Sequence, residues 1–341
     1  MHDWFKSYLT ERKQFTALKT DKSECEPIDY GVPQGSVLGP LLFLIYINDI
    51  GFNEKLIFKP KIFADDTNVF IKSDNLQQLQ KLCQSTINEI SEWLLANRLT
   101  VNVDKTCYMI FLPTHASSQS VNLDLTINKL KLLKVSSIKF LGMQIDDKLE
   151  WKLHIQEISQ VLRRYVGVFY KMSLKLPQNV LKLLYFAIIY PRILYGIEIY
   201  ANTYMTNLHD LIILNNRILR ILQHKSLITN VNDLYNAFNT LSINKLFYFQ
   251  ILLYAHAVYF KLPTLPEIFI HNHKLNNEVH THNTRSSKDF HRVVIKSVYS
   301  TKIYSNLCAK YWNQIPVSSK ALSNPNLFKK QLKTYLLVNE I

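Results

Sequence analysis

Between Leu76 and Leu94 the apolar residues Leu76, Leu79, Leu82, Cys83, Ile87, Ile90, Trp93 and Leu94 recur at steps of three and four, the spacing of one helical face. Gln, Lys, Ser and Glu fill the positions between, and Asp74 or Asn75 can cap the start, so a helix is predicted here. Upstream, Ser36–Ile50 carries a compact apolar run with Pro40 near its beginning and Asn48-Asp49-Gly51 as a stop. That pattern predicts a short buried helix, preceded by a loop over 29–35. Leu56–Lys72 reads as two β-rich runs separated by Asp65-Asp66, a spacing that suits a tight hairpin with the acids at its turn. Leu99–Phe111 is strand-like, a loop follows near 113–120, and short strands continue to Ile145, with a break at Asp146-Asp147.

After Leu149 the period changes. Leu153, Ile155, Ile158, Val161, Leu162, Tyr165, Val168 and Phe169 mark one helix, and Leu208–Leu222 and Leu241–Phe260 mark two more. The chain therefore reads as α+β, with the strands confined to its first 150 residues.

The 341 residues are 48% hydrophobic, which excludes disorder, and Lys plus Arg outnumber Asp plus Glu by 40 to 26. Residues 1–150 hold 17 basic and 18 acidic side chains, whereas 151–341 hold 23 and 8, so the whole net charge of +14 lies in the second half. Arg163, Arg164, Lys171, Lys175, Arg217 and Arg220 ride on its predicted helices with Tyr and Phe interleaved. A basic helical layer of this kind can track a nucleic-acid backbone. Four scattered cysteines without a Cys-x-x-Cys pair suggest neither a disulfide framework nor a thiolate zinc site, and an intracellular setting is expected. Leu41–Ile47 is too short to cross a bilayer and Leu181–Tyr200 is interrupted by Lys182, Pro191, Arg192 and Glu198, so no membrane span is expected. The opening Met1–Leu9 lacks the basic start and apolar core of a signal peptide.

Two adjacent acids between apolar strands are costly unless paired or metal-bound. Asp65 and Asp66 are therefore the leading candidates for holding Mg²⁺, although Asp also favours turns for its own sake. Upstream, Gly31-Val-Pro-Gln-Gly-Ser-Val-Leu-Gly-Pro40 is a glycine-bearing loop that opens a helix and can present backbone N–H groups to phosphate. His271, His273, His280, His282 and His291 lie in or beside a polar stretch; imidazoles in this number can bind zinc, but a mildly basic loop is the plainer reading.

Gly31–Pro40 together with Phe63-Ala-Asp-Asp66 closely resembles the reverse transcriptase family, and its wording is most similar to non-LTR, jockey-type retrotransposon polymerases. Leu99-Thr-Val-Asn-Val-Asp-Lys105 resembles the next palm motif of that family, and Phe140-Leu-Gly-Met through Trp151 and His154 resembles its primer-grip hairpin and the start of its thumb. Tyr311-Trp312-Asn-Gln-Ile-Pro316 and Phe328-Lys-Lys resemble the C-terminal ends of such polyproteins. The resemblance implies a partial right-hand palm at 1–145, thumb-like helices at 146–205 and a basic helical C-terminal region at 206–341. It implies RNA-directed DNA polymerase activity with RNA template, DNA primer, dNTP and two Mg²⁺ ions. It assigns catalysis and metal to Asp65 and Asp66, assistance to pyrophosphate departure to Lys105, and nucleotide and template contacts to Pro33, Gln34, Gly35 and Ser36 beside Phe63 and Ala64. Leu141 and Gly142 would form the primer grip. Work in the nucleus follows from the same resemblance, as does association with a full-length element protein.

One part of the family's pattern is missing. A palm polymerase needs a third carboxylate on a separate strand N-terminal to Gly31, because two adjacent side chains cannot enclose two divalent ions. Trp4–Gln14 resembles the segment downstream of that acid, Asp3 lies in the wrong context to replace it, and Asp29 directly precedes the nucleotide loop. The expectation is a truncated polymerase, weak or inactive by itself, whose acid-bearing hairpin leaves an apolar edge uncovered. The rival expectation is a non-catalytic nucleic-acid-binding remnant.

Overall fold

The computed structural model describes residues 1–33, 35–51, 60–112, 121–271, 273–279, 286–293, 300 and 302–339. The chain is mixed α/β and folds as two compact units, Met1–Ile110 with Ser117–Val135 and Ser136–Ile341 with Phe111–Ala116. No described helix is long and apolar enough to cross a membrane.

In the first unit, helix α1 (His2–Leu9) precedes strands β1 (Arg12–Gln14), β2 (Ala17–Leu18), β3 (Asp21–Lys22) and β4 (Glu26–Ile28). β1 pairs with β4 and β2 with β3, both antiparallel. Helix α2 (Leu38–Ile47) forms where its apolar run predicts, yet only Gly39 and Ile47 are buried. Leu41, Leu44, Ile45 and Tyr46 are all exposed, which corrects the expectation of a buried helix. An unbroken apolar run shows that a helix needs covering and not that the unit contains a cover.

Strands β5 (Lys61–Phe63) and β6 (Asp66–Asn68) form the expected hairpin one residue earlier than predicted. Phe63 faces Asp66 across the ladder, and the turn is Ala64-Asp65, with Ala64 at φ +51°. The predicted first run extends back to Leu56, and residues 56–59 lie outside the described residues. Helix α3 (Leu76–Ala96) follows, capped by the Asn75 side chain, which accepts from the backbone N–H of Gln77 at 2.8 Å and of Gln78 at 3.3 Å.

The strand-like stretch 99–111 yields only β7 (Cys107–Tyr108), because Asn102 caps a 3-10 turn at Val103–Lys105 and diverts the chain. The predicted loop at 113–120 lies outside the described residues. Short strands β8 (Thr126–Ile127), β9 (Leu130–Lys131) and β10 (Leu133–Lys134) complete the unit, and β10 runs parallel to β7. Among the described residues all strands occur as two-stranded pairs.

The second unit opens with the hairpin β11 (Ser137–Phe140) and β12 (Met143–Asp146), antiparallel about a Leu141-Gly142 turn. Then come helices α4 (Lys152–Ser173), α5 (Gln178–Leu184), a π-turn at Tyr185–Ile189, α6 (Tyr190–Leu194), α7 (Ile197–Tyr200) and α8 (Met205–Leu222). α9 (Val231–Phe238) and α10 (Ile243–Tyr259) follow, and α13 (Tyr304–Trp312) and α15 (Pro325–Val338) come after the short α11 (Glu267–His271) and α12 (Asn276–Val279), with α14 (Val317–Lys320) between those two.

One continuous core joins these helices. Phe169, Tyr185, Tyr200, Trp312 and Phe328 are fully buried in it. Four polar side chains in and beside it form a chain: the Tyr185 hydroxyl donates to Asn215 Oδ1 at 3.2 Å, Asn215 Nδ2 donates to the Tyr235 hydroxyl at 3.0 Å, and Tyr235 donates to Asn216 Oδ1 at 2.7 Å. Buried hydroxyls so linked carry no desolvation penalty left unmet.

Candidate nucleic-acid-processing site

The loop before α2 is built by two glycines and one arginine. Gly31 and Gly35 both sit at φ +79°, a region open to glycine, with space around each where a side chain would lie. The Ser36 N–H closes the Pro33–Ser36 turn onto Pro33 O at 3.3 Å. The Ser36 hydroxyl accepts the Gly39 N–H at 3.0 Å, satisfying one orphan donor at the start of α2. Gln34 lies outside the described residues. Arg12 reaches from β1 and donates to Gly31 O at 2.5 Å and to Tyr30 O at 3.4 Å, while the Arg98 guanidinium lies 5.8 Å from the Tyr30 ring centre. Nothing in the local pattern of 12–14 announced this clamp.

Asp65 and Asp66 are both exposed, one in the turn and one opening β6, beside the exposed Ala64 and Phe63. The apolar setting that made the pair look costly is therefore not reproduced around them. Among the described residues no group of three or more His, Cys, Asp or Glu side chains converges to hold a metal ion. Asp3 and Asp29 are exposed as well, and neither joins the hairpin acids in such a group. Two carboxylates by themselves do not fit a pair of magnesium ions, so no chemical step through metal follows from these residues. Lys105 is exposed at the end of its 3-10 turn, where its backbone N–H donates to Asn102 Oδ1 at 3.2 Å.

Leu141 at φ +46° and Gly142 at φ +79° make the two-residue turn of the β11–β12 hairpin. The Tyr195 hydroxyl donates to Leu141 O, and its ring would lie 3.6 Å from a Cβ at Gly142. The hairpin is joined to α4 by Asp146, whose Oδ1 accepts from Glu150 N at 2.9 Å and Lys148 N at 3.1 Å and whose Oδ2 accepts from Trp151 N at 2.7 Å. His154 Nδ1 accepts the Gln144 N–H at 3.3 Å and its ring meets Tyr200 edge to face. Burial holds the His154 imidazole below its ordinary range; Glu157 opposes that shift and Lys139 adds to it.

Arg163, Arg164 and Lys171 are exposed along α4, Lys175 is exposed just beyond it, and Arg217 is exposed on α8. Arg220 differs, being half-buried and donating to Thr229 O at 3.3 Å, which commits part of its guanidinium to holding the loop after α8. Of the histidines, His280 and His282 lie outside the described residues, and His271, His273 and His291 form no metal-holding group. His273 Nδ1 donates to Phe269 O at 2.8 Å and its ring packs beside Phe290.

Residues 1–145 match the family described as Reverse transcriptase (RNA-dependent DNA polymerase). The chain is similar to the RNA-directed DNA polymerase from mobile element jockey of Drosophila melanogaster, 30% identical over 227 residues that cover 63% of this chain and 24% of the relative. It is 27% identical over 228 residues to the probable RNA-directed DNA polymerase from transposon BS of the same fly, again covering 63% and 24%. A retrovirus-related Pol polyprotein from a type-1 retrotransposable element R1 of Nasonia vitripennis is 24% identical over 156 residues, which are 40% of this chain and 37% of that protein. The chain thus spans about a quarter of the length of the jockey-type relatives. The glycine loop and the paired acids fall within residues 1–145, which match the reverse transcriptase family, and the chain is similar to the jockey-type RNA-directed DNA polymerases over 63% of its length.

Proposed function

We propose that this chain is part of the RNA-directed DNA polymerase of a mobile element, working on an RNA template and a DNA primer with dNTP. The observation that carries this is the order of its parts: a loop of exposed backbone before α2, the acid pair at the β5–β6 turn, and a pinned hairpin running into a basic helix. In this reading residues 1–145 are the palm portion and 146–205 the thumb, with the basic helices of 206–341 holding nucleic acid. Pro33, Gln34, Gly35 and Ser36 would face the incoming nucleotide and template, Lys105 would face the departing pyrophosphate, and Leu141-Gly142 would hold the primer end.

Asp65 and Asp66 would supply two of the carboxylates of a divalent-metal site, and a third must come from a strand other than those described. Among the described residues the hairpin pairs with no other strand, and Phe63 and Phe70 stand 61% and 68% exposed beside it, which supports an unfilled edge at that place. Weak or absent catalysis by these residues alone follows from the same reasoning.

A second reading, a nucleic-acid-binding protein without catalysis, is favoured by the absence of a third converging carboxylate among the described residues together with the basic excess of 151–341. Primer extension on an RNA template with Mg²⁺ and dNTPs, beside an Asp65→Ala/Asp66→Ala control, tests both. Extension lost in the control would show that an acid of this chain completes the metal site. No extension from folded protein that still binds RNA would leave binding as the activity.

A further inference from the structure

The groove between α4 and α8 has no part in the chemistry above. It encloses about 380 Å³, within the size range of small-ligand sites. Ser159 of α4 lines it and is 5% exposed, and its Oγ has no hydrogen-bond partner. A hydroxyl buried without a partner costs about 1–3 kcal/mol, a cost removed when an occupant accepts its proton.

Lys152 and Arg163 lie on the same wall, and neither makes an ion pair among the described residues. The facing wall is the start of α8, an 18-residue helix whose N-cap, Tyr204, gives no side-chain hydrogen bond to the first turn. The Asn207 N–H is taken by Tyr204 O at 2.9 Å, and the N–H groups of Met205 and Thr206 at the helix start favour an anion. Asp210 also lines the groove from α8, and Gln156 and Gln160 from α4. A bare phosphate would leave that carboxylate without a donor. An occupant carrying both an oxyanion and N–H or O–H groups would satisfy the two walls together.

We propose that the α4–α8 groove seats one nucleotide of a single-stranded nucleic acid, its phosphate met by Arg163, Lys152 and Ser159 and its ribose or base donors by Asp210, Gln156 and Gln160. This rests on the reading that the basic half binds nucleic acid. It adds a defined pocket for a single residue of the strand to the diffuse attraction of an exposed basic face.

The test uses the full 341-residue chain. Fluorescence anisotropy with a labelled 12-nucleotide single-stranded RNA across a salt series compares wild type with Ser159→Ala, Asp210→Asn and Arg163→Gln. Ser159→Ala and Asp210→Asn are each expected to weaken binding about five- to tenfold with an unchanged salt slope, and Arg163→Gln to lower the slope by about 0.7. A 4-thiouridine in the RNA should crosslink to peptides within 152–163 or 203–210. Unchanged affinity in Ser159→Ala and Asp210→Asn, with crosslinks elsewhere, would overturn the groove while leaving RNA binding intact. Adenosine monophosphate that binds wild type but not Ser159→Ala, and does so without displacing the RNA, would overturn the strand seat in favour of a free nucleotide. No RNA binding by wild type at low salt would overturn both readings. Circular dichroism of each variant confirms that the fold is kept.

Discussion

Asp146 accepts the backbone N–H of Trp151 at 2.7 Å, five residues ahead in the chain, and thereby fixes the corner at which the β11–β12 hairpin becomes α4. Trp151 sits there at φ +63°, a conformation that a bulky residue avoids, and it is 7% exposed. The carboxylate also takes the N–H groups of Lys148 and Glu150, so one side chain satisfies three donors that the hairpin and the start of α4 leave open. The strained corner persists because Asp146 and the burial of the Trp151 ring over-determine it.

Asp146→Ala removes all three acceptors at once. Charge-assisted bonds of this kind put the loss at about 2–4 kcal/mol, which in a unit of this size lowers Tm by roughly 4–16 °C. Differential scanning calorimetry of the variant checks the value. A change under one degree would show that water replaces the carboxylate and that the corner is held by Trp151 packing alone.

Gly196 predicts a coupled pair. It lies at φ +67°, and a Cβ there would come within 2.5 Å of Met143 Sδ. Gly196→Ala should therefore destabilise by about 1–3 kcal/mol through both backbone and overlap. Combining it with Met143→Ala removes the overlap and leaves only the backbone part. Denaturant unfolding of both single variants and the double variant yields the coupling energy; strict additivity would place the strain elsewhere.

Arg12 gives a third test, directed at the glycine loop. Its guanidinium is the side chain that holds the carbonyls of Tyr30 and Gly31. Arg12→Met keeps the stem and removes the donors, so amides near 30–33 should exchange hydrogen faster while those of α3 stay protected. Equal exchange in the two proteins would show that β1–β4 pairing fixes the loop without the arginine.

How far the sequence could be read depended on the range of the interaction. α3 was legible because its stripe and its Asn75 cap are both local, and the structure keeps each. The hairpin was legible as a hairpin, but the turn preference of Asp points to the two acids as its turn, whereas pairing of Phe63 with Asp66 puts the turn at Ala64-Asp65. The β-propensity of the run 99–111 predicts a strand, which the Asn102 cap overrides. The burial of α2 was not legible, since a run of leucines carries no information on what lies across from it. Arg12 on Gly31, Tyr195 on Leu141 and the α4–α8 groove join residues far apart in the chain, and no spacing rule reaches them.

Three histidines of the second unit predict its response to acid. His154, His256 and His273 are all held below the ordinary imidazole range, chiefly by burial; hydrogen bonding to Leu322 O and to Phe269 O partly opposes the shift at His256 and His273. The geometry at His154 makes the reason concrete, because Nδ1 accepts the Gln144 N–H and a proton placed there would face another donor. At His256 the ring stacks on Phe328 with centroids 4.2 Å apart, and Nε2 donates to Leu322 O at 2.7 Å. With the folded-state pKa below the unfolded value, the unfolded chain binds more protons between the two, so stability rises with pH across that window. The contribution is complete above about pH 6.5 and is lost as pH falls below it, before most carboxylates begin to titrate near pH 4. Thermal unfolding at pH 8, 7, 6 and 5 should show Tm falling between pH 7 and 5. His154→Gln, His256→Gln and His273→Gln should each flatten that fall, whatever they do to Tm at pH 8. A slope unchanged in all three variants would assign the acid response to other groups and remove the buried imidazoles from the account.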